Sequence, residues 1–344
     1  MKNNNLFCPG PVDISINVYN ALHYNLISHR SEKFHEIYKN CTNLTKQLFN
    51  INDDYVPLFI TGSGTVSIES MIYSFLRFKK VLILKNGSFS DKWKDMLDNY
   101  SNNYDTLDFG WNNSFCIKKL KTILNKNNYE CIFFVHHETS TTMINDIYEI
   151  NNICNSYNII MIVDAVSSAG IYDINLSKLN SLYMFSYSTN KCIGSIPGLS
   201  VVISKKSILD NMNNNISYLN LKQYYNFSKF NETPFTPCII NFYCYIEAMK
   251  NILLNKNNIK SLYDDLMNYF IKRMNTKGYI PVLKSNQCNW VINFKCENPN
   301  EIYDKLKSKN ITIYRCKGEL TNKAIQIAIF NKSYEELEYL IREI

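Results

Sequence analysis

Four short stretches of this 344-residue chain carry side chains able to do chemistry, and each follows a run of apolar residues. The first is TGSGTVSIES (61–70). Gly62 and Gly64 permit tight backbone turns, Ser63 and Thr65 add hydroxyls, and a helix opening near Thr65 would aim its free N–H groups at the loop, which suits an anion such as phosphate. The GK[ST] ending of a P-loop is missing. The second stretch, HETSTT (137–142), is a hydroxyl cluster, and the third, DAVSSAG (164–170), opens on an acid. The fourth, YSTNKCIGSIPG (187–198), places Lys191 between the apolar runs LYMF (182–185) and LSVVI (199–203). An ammonium is costly to take out of water, so a lysine led toward a sheet is either a surface loop residue or a reactive amine.

Each stretch alone has an ordinary reading: a turn before a helix, a capping run, an aspartate capping the next segment, a loop lysine. Together they offer a phosphate-type loop, hydroxyls, an acid and an amine. A phosphorylated cofactor with an aldehyde needs all four, and pyridoxal phosphate fits. The lysine bonds the aldehyde, the acid keeps the pyridine nitrogen protonated, and the loop binds the phosphate. A lysine buried beside that site would have a depressed pKa, which frees the amine for attack and proton transfer.

The elements that must position these groups are legible as a pattern. Candidate strands are 56–60, 81–84, 131–136, 159–163, 182–185 and 199–203, each too short for a buried helix and each followed by a polar or turn-forming residue. Amphipathic segments at 65–77, 90–100, 115–125 and 146–156 alternate with them. Strands apolar on both faces and alternating with helices predict an α/β sheet covered by helices. In such sheets, ligands bind at the carboxyl ends of the strands, where all four stretches fall. Near residue 238 the pattern changes to long helices at 238–254 and 259–274, then strands at 290–294, 311–314 and 324–330 and helices near 299–308 and 333–344. This predicts a large domain over 15–240 and a smaller α+β domain over 241–344, joined by the N-terminal segment 1–14.

Composition excludes several classes. The chain is 46% apolar and 19% charged, with a formal net charge of +7 and no basic block, which does not suggest a nucleic-acid partner. Eleven cysteines lie without paired spacing or a Cys/His cluster, which predicts reduced thiols in a cytoplasmic protein and no metal site. No run approaches the roughly 18 apolar residues of a membrane span.

CPGP (8–11), GSGT (62–65), NGSFS (86–90), HHETSTT (136–142), VDAVSSAG (163–170) and STNKCIGSIPG (188–198) resemble, in order and spacing, the class V aminotransferases of pyridoxal-phosphate fold type I. The stretch around Lys191 is most similar to the 2-aminoethylphosphonate–pyruvate branch, and SHRSEKFHEIY (28–38) is similar to the alanine–glyoxylate/serine–pyruvate group. The resemblance implies a large domain with a mainly parallel seven-stranded sheet and a smaller C-terminal α+β domain. It implies Lys191 as the Schiff-base lysine, Asp164 on the pyridine nitrogen, Val166 under the ring and Phe89 stacked on it. It further implies Ser63, Gly64 and Thr65 on the phosphate and Thr141 near the phenolic oxygen. Thr236 would reach the phosphate of a neighbouring subunit, which implies a homodimer with shared active sites. The implied activity is transamination between a small amino donor and an oxo-acid acceptor, with 2-aminoethylphosphonate-type donors first.

Two departures bear on that activity. Where the family loop has Gly and Pro, this chain has Thr142 and Asp146. Where the family has a late-strand arginine for the substrate's anionic group, IQIAIF (325–330) offers Gln326. A glutamine cannot replace a charged bidentate fork. Either Arg315 or Arg30 takes the anion, or the substrate lacks one there, or the scaffold serves a lyase or decarboxylase. A non-catalytic binding protein of this fold is a further reading, against which the Lys191/Asp164 pair argues.

Overall fold

The computed structural model describes residues 5–344. Seven strands form one sheet: β1 (Tyr55–Thr61), β2 (Val81–Lys85), β3 (Tyr104–Asp108), β4 (Cys131–Val135), β5 (Ile160–Asp164), β6 (Leu182–Ser188) and β7 (Leu199–Lys205). Their spatial order is β1-β7-β6-β5-β4-β2-β3. The strands from β6 to β3 run parallel, and β7 lies antiparallel to both β6 and β1. Six of these strands coincide with the apolar runs. The seventh, β3, reads Tyr-Asp-Thr-Leu-Asp and buries only Leu107. It lies at the sheet edge, where one flank needs no apolar cover, so its sequence lacks the doubly apolar pattern.

Alternate residues of the strands fill two cores. Phe59, Leu82, Phe134, Val163, Phe185 and Val201 face one side, packed with helices α1 (Glu32–Phe49) and α5 (Ile239–Asn255). Ile60, Ile83, Phe133, Ile162, Met184 and Val202 face the other, under helices α2 (Gly64–Ser74) and α3 (Ser88–Asp98). Helix α4 (Ile147–Tyr157) starts at Asp146, whose carboxylate accepts from the Tyr148 and Glu149 amides. The residue that replaces the family's proline therefore caps a helix.

A smaller antiparallel sheet holds β8 (Val291–Lys295), β9 (Tyr314–Arg315) and β10 (Ala324–Ala328), with β10 in the middle. It packs with helices α6 (Ile259–Asn275) and α8 (Tyr334–Glu343) around Phe270, Trp290, Phe294, Ile327 and Leu337, while α7 (Pro299–Ser308) adds Leu306. The N-terminal residues Asn5–Leu6 pair in parallel with Ile311–Thr312, and Phe7 enters the same core. The predicted strand 311–314 is thus two short pieces, because the chain changes partner after Thr312. Helix α5 belongs to the large core and α6 to the small one. Among the described residues no helix is long and apolar enough to cross a membrane. All eleven cysteines are free thiols.

Candidate active site

Strands β1, β4, β5 and β6 end on the same edge of the sheet, and the four chemical stretches gather there. Lys191, in the loop after β6, opens on a cavity of about 360 Å³ whose wall includes Phe89, Thr139, Ser140, Lys317 and Gln326. A hollow of about 450 Å³ lies elsewhere, beside His136 and Tyr172, and the chemistry selects the smaller one. The Lys191 Nζ donates to Ser167 Oγ at 3.0 Å and lies 5.4 Å from the centre of the Phe89 ring. Thr139 Oγ1 donates to the same Ser167 hydroxyl at 2.6 Å and fixes it. The cavity reaches part of the lysine side chain, yet surrounding protein shields the amine, and burial pushes its pKa below the ordinary value. Asp164 and Glu138 nearby oppose that shift without reversing it.

The CPGP segment roofs this lysine. Gly10 has φ +146°, and a Cβ there would lie 3.2 Å from Lys191 Cγ, so glycine alone lets the backbone pass so close. Tyr314 fixes the roof by donating its hydroxyl to the Gly10 carbonyl at 2.8 Å.

Helix α2 begins at Gly64, and the Ser63 side chain makes no capping bond, so the hydroxyl and the helix N-terminus stay open to a ligand. A Cβ on Gly64 would lie 2.8 Å from Val166 Cγ2 and 3.3 Å from Ser188 Cβ, which brings the helix end against β5 and β6. Ser188 Oγ is buried there with no partner among the described residues. Lys92 Nζ donates to Thr65 Oγ1 at 3.0 Å. Helix N–H groups, an orphaned hydroxyl and an ammonium form a donor set, and donor sets of this kind fit phosphate. The sequence reading missed Ser188 and Lys92. Their signals are local: Ser188 precedes Lys191 by three residues, and Lys92 follows Phe89 by one helical turn on the same face.

Asp164 ends β5 and is buried. Its Oδ1 accepts from the Val166 amide at 2.8 Å and its Oδ2 from Trp93 Nε1 at 2.6 Å. Burial pushes its pKa up to about 6, against the pull of these two donors and of Lys191. An ionised carboxylate has about four lone-pair directions, so acceptor capacity remains for a protonated ring nitrogen. Trp93 is a third residue the sequence reading passed over, one helical turn after Phe89.

Glu138 is fully buried and accepts from the Phe89 amide at 3.1 Å, the Ser90 amide at 3.0 Å and Ser140 Oγ at 2.6 Å. It anchors the start of α3 and with it the Phe89 ring. Burial raises its pKa while these donors hold it down. A Cβ on Gly87 would overlap Glu138, which accounts for the glycine in NGSFS. His136 and His137 are held neutral by burial, at about 4 and about 3.

Thr142 takes φ +62°, the left-handed conformation that its family counterpart, glycine, adopts freely. A β-branched residue there is strained by about 1–2 kcal/mol. The Cys288 amide donates to its carbonyl at 2.9 Å, and its hydroxyl lies 3.1 Å from Gln287 Oε1. Small-domain contacts thus hold the strained residue in place.

Gln326 faces the large domain from β10, but its amide is engaged. Nε2 donates to the Thr139 carbonyl at 2.8 Å and to Asn293 Oδ1 at 2.9 Å. Asn293 in turn donates to the Ser140 carbonyl at 3.0 Å. This position ties the two domains together. Arg315 also borders the cavity, yet it pairs with Asp304 at 3.0 Å and lies over the Tyr303 ring. Arg30 pairs with Glu232 and donates to the Thr233 carbonyl at 2.9 Å, outside the cavity wall. Thr141 is buried in the turn, its hydroxyl directed to the Glu138 carbonyl at 3.3 Å. Thr236 is exposed and outside this wall.

The family model described as aminotransferase class-V matches residues 13–326. An uncharacterised aminotransferase of Methanocaldococcus jannaschii is 29% identical over 257 residues, 72% of this chain and 66% of that protein. A 2-aminoethylphosphonate–pyruvate transaminase of Phocaeicola vulgatus is 30% identical over 207 residues, 59% of this chain and 57% of that protein. The chain thus aligns with less than two thirds of the length of either. A protein of the same name from Bacillus cytotoxicus is 26% identical over 343 residues, covering 91% of this chain and 90% of its own length. Among solved structures, the alanine–glyoxylate aminotransferase of Nostoc sp. superposes with a TM-score of 0.91 at 20% identity, covering 99% of this chain and 94% of that one. The shared architecture is pyridoxal-phosphate fold type I.

Proposed function

The chain belongs to the class-V aminotransferase family, and from that premise we propose that it is a pyridoxal-phosphate-dependent aminotransferase of a small primary amine, with 2-aminoethylphosphonate-type donors first and pyruvate or a similar oxo-acid as acceptor. One observation carries the reading: a buried amine with a depressed pKa, a buried acid and an open helix N-terminus share one sheet edge. The phosphonate preference draws its support from the curated relatives that bear that name.

When bound, pyridoxal phosphate supplies an electron-accepting ring and an aldehyde carbon that exchanges nitrogen with an amine. Ser63, Gly64 and Thr65 would hold its phosphate, joined by Ser188 and Lys92. Phe89 and Val166 would cover the two ring faces. Asp164, ionised above about pH 6, would keep the proton on the ring nitrogen. Lys191, oriented by Ser167 and Thr139, would take a proton from the substrate carbon at Nζ and return it. A homodimer in which Thr236 reaches the partner's phosphate, a domain division that falls after α5 rather than at residues 240/241, and a cytoplasmic location complete the proposal. The engaged amide of Gln326 favours a second reading, a lyase or decarboxylase for which an anion at that position is not needed.

Pyridoxal phosphate added to the purified chain should give a yellow species that borohydride fixes on Lys191, located by peptide mass. A chain that stays colourless and unlabelled refutes both readings. An amino-donor screen that follows pyridoxamine phosphate then separates them: product without any pyridoxamine form counts against transamination.

A further inference from the structure

With Gln326 consumed by Thr139 and Asn293, the cavity needs another partner for an anionic group. Its wall contains no aspartate or glutamate among the described residues and carries four cations. Lys191 is the amine already described, and Lys92 is bonded to Thr65 at the helix end. Arg315 and Lys317 come from the small domain. Arg315 spends its charge on Asp304, whereas the Lys317 ammonium has no hydrogen bond or ion pair with any described residue. The turn that carries Lys317 is also built. Gly318 takes φ +59°, and a Cβ there would overlap the Trp111 ring of the large domain. Trp111 packs with Cys316, Leu320 and Ala324, so the ring pins the turn whose Lys317 lines the cavity.

We propose that Lys317, held by the Trp111–Gly318 contact, is the specificity residue that receives the substrate's anionic end, in place of residue 326. The site therefore selects amines whose phosphonate or carboxylate group lies at the far end from the reacting carbon. This deepens the aminotransferase reading and rests on it for the identity of the amine.

Lys317 is exposed, so Lys317→Gln should fold normally. Ethylphosphonate binding to the chain, followed by calorimetry with and without pyridoxal phosphate, is the direct probe. Lys317→Gln should weaken it roughly tenfold, as expected for one charge-assisted contact at a partly solvated site. The control Lys323→Gln, on the same domain but outside the cavity wall, should leave binding unchanged. With the loaded enzyme, Lys317→Gln should raise KM for 2-aminoethylphosphonate by a similar factor, with little change in kcat and none in KM for propylamine. Equal ethylphosphonate affinity in Lys317→Gln and the parent overturns the proposal even if Lys191 is labelled by the cofactor. A chain whose Lys191 is not labelled refutes the aminotransferase reading, while the calorimetry still judges the anion site.

Discussion

Replacing Asp164 by Asn should change how the stability of the cofactor-free chain depends on pH, in a direction fixed by burial. The folded carboxyl titrates near 6 against an ordinary value of 3.8. The folded state therefore binds the proton more tightly than the unfolded chain. That preference stabilises the fold fully below pH 3.8 and is lost as pH rises through 6. The gap spans about two pH units at about 1.4 kcal/mol each, so about 3 kcal/mol is at stake. About 2 kcal/mol of it falls between pH 4.5 and 7. The groups facing the carboxyl are the Val166 amide, the Trp93 indole, Lys191 and Glu138, and all remain in the Asn variant. Urea unfolding of both proteins at half-unit steps from pH 4.5 to 7 isolates the titration of residue 164. The stability of the parent minus that of Asp164→Asn should fall by about 2 kcal/mol over this range. A difference that stays flat, or that grows with pH, would refute the argument that burial dominates the hydrogen bonds at this acid.

Three further outcomes follow from the same geometry. Trp93→Phe removes the indole donor at 2.6 Å from Asp164, so the midpoint of that pH dependence should move above 6; an unmoved midpoint would show that the donor is not felt. Gln326→Leu strips a donor from the Thr139 carbonyl and from Asn293 and should cost about 1–3 kcal/mol in urea unfolding, whereas an unaltered midpoint would deny the interdomain tie. Gly64→Val places a Cβ 2.8 Å from Val166 Cγ2 and should cost about 1–3 kcal/mol by overpacking. It should also abolish the absorbance change on adding pyridoxal phosphate, and a normal titration would show that the helix end does not form the phosphate site.

Much of the candidate site was legible because the signals were local. Six strands announced themselves as short runs apolar on both faces, and the residues just after them carried the amine, the acid and the glycines. Strand β3 escaped because an edge strand has no need of that pattern. Phe89, Lys92 and Trp93 share one helix face, but only Phe89 was singled out, since nothing in a helical spacing says what the face meets.

The sequence by itself determined six of the seven strands and the positions of Lys191 and Asp164 at their ends, because strand periodicity and the residues flanking each strand suffice to place them. Tertiary structure alone decided what the substituted positions do. Gln326 reads in the sequence as a lost anion partner, and in the fold it is a tie between domains, since its partners Thr139 and Asn293 come from two distant segments. Lys317 reads as one surface lysine among many. It acquires a place at the cavity only because Trp111, from the loop after the edge strand β3, packs on Gly318. Hydrogen-bond partners and packing contacts of this kind are set by distances across the folded chain, which no local pattern encodes.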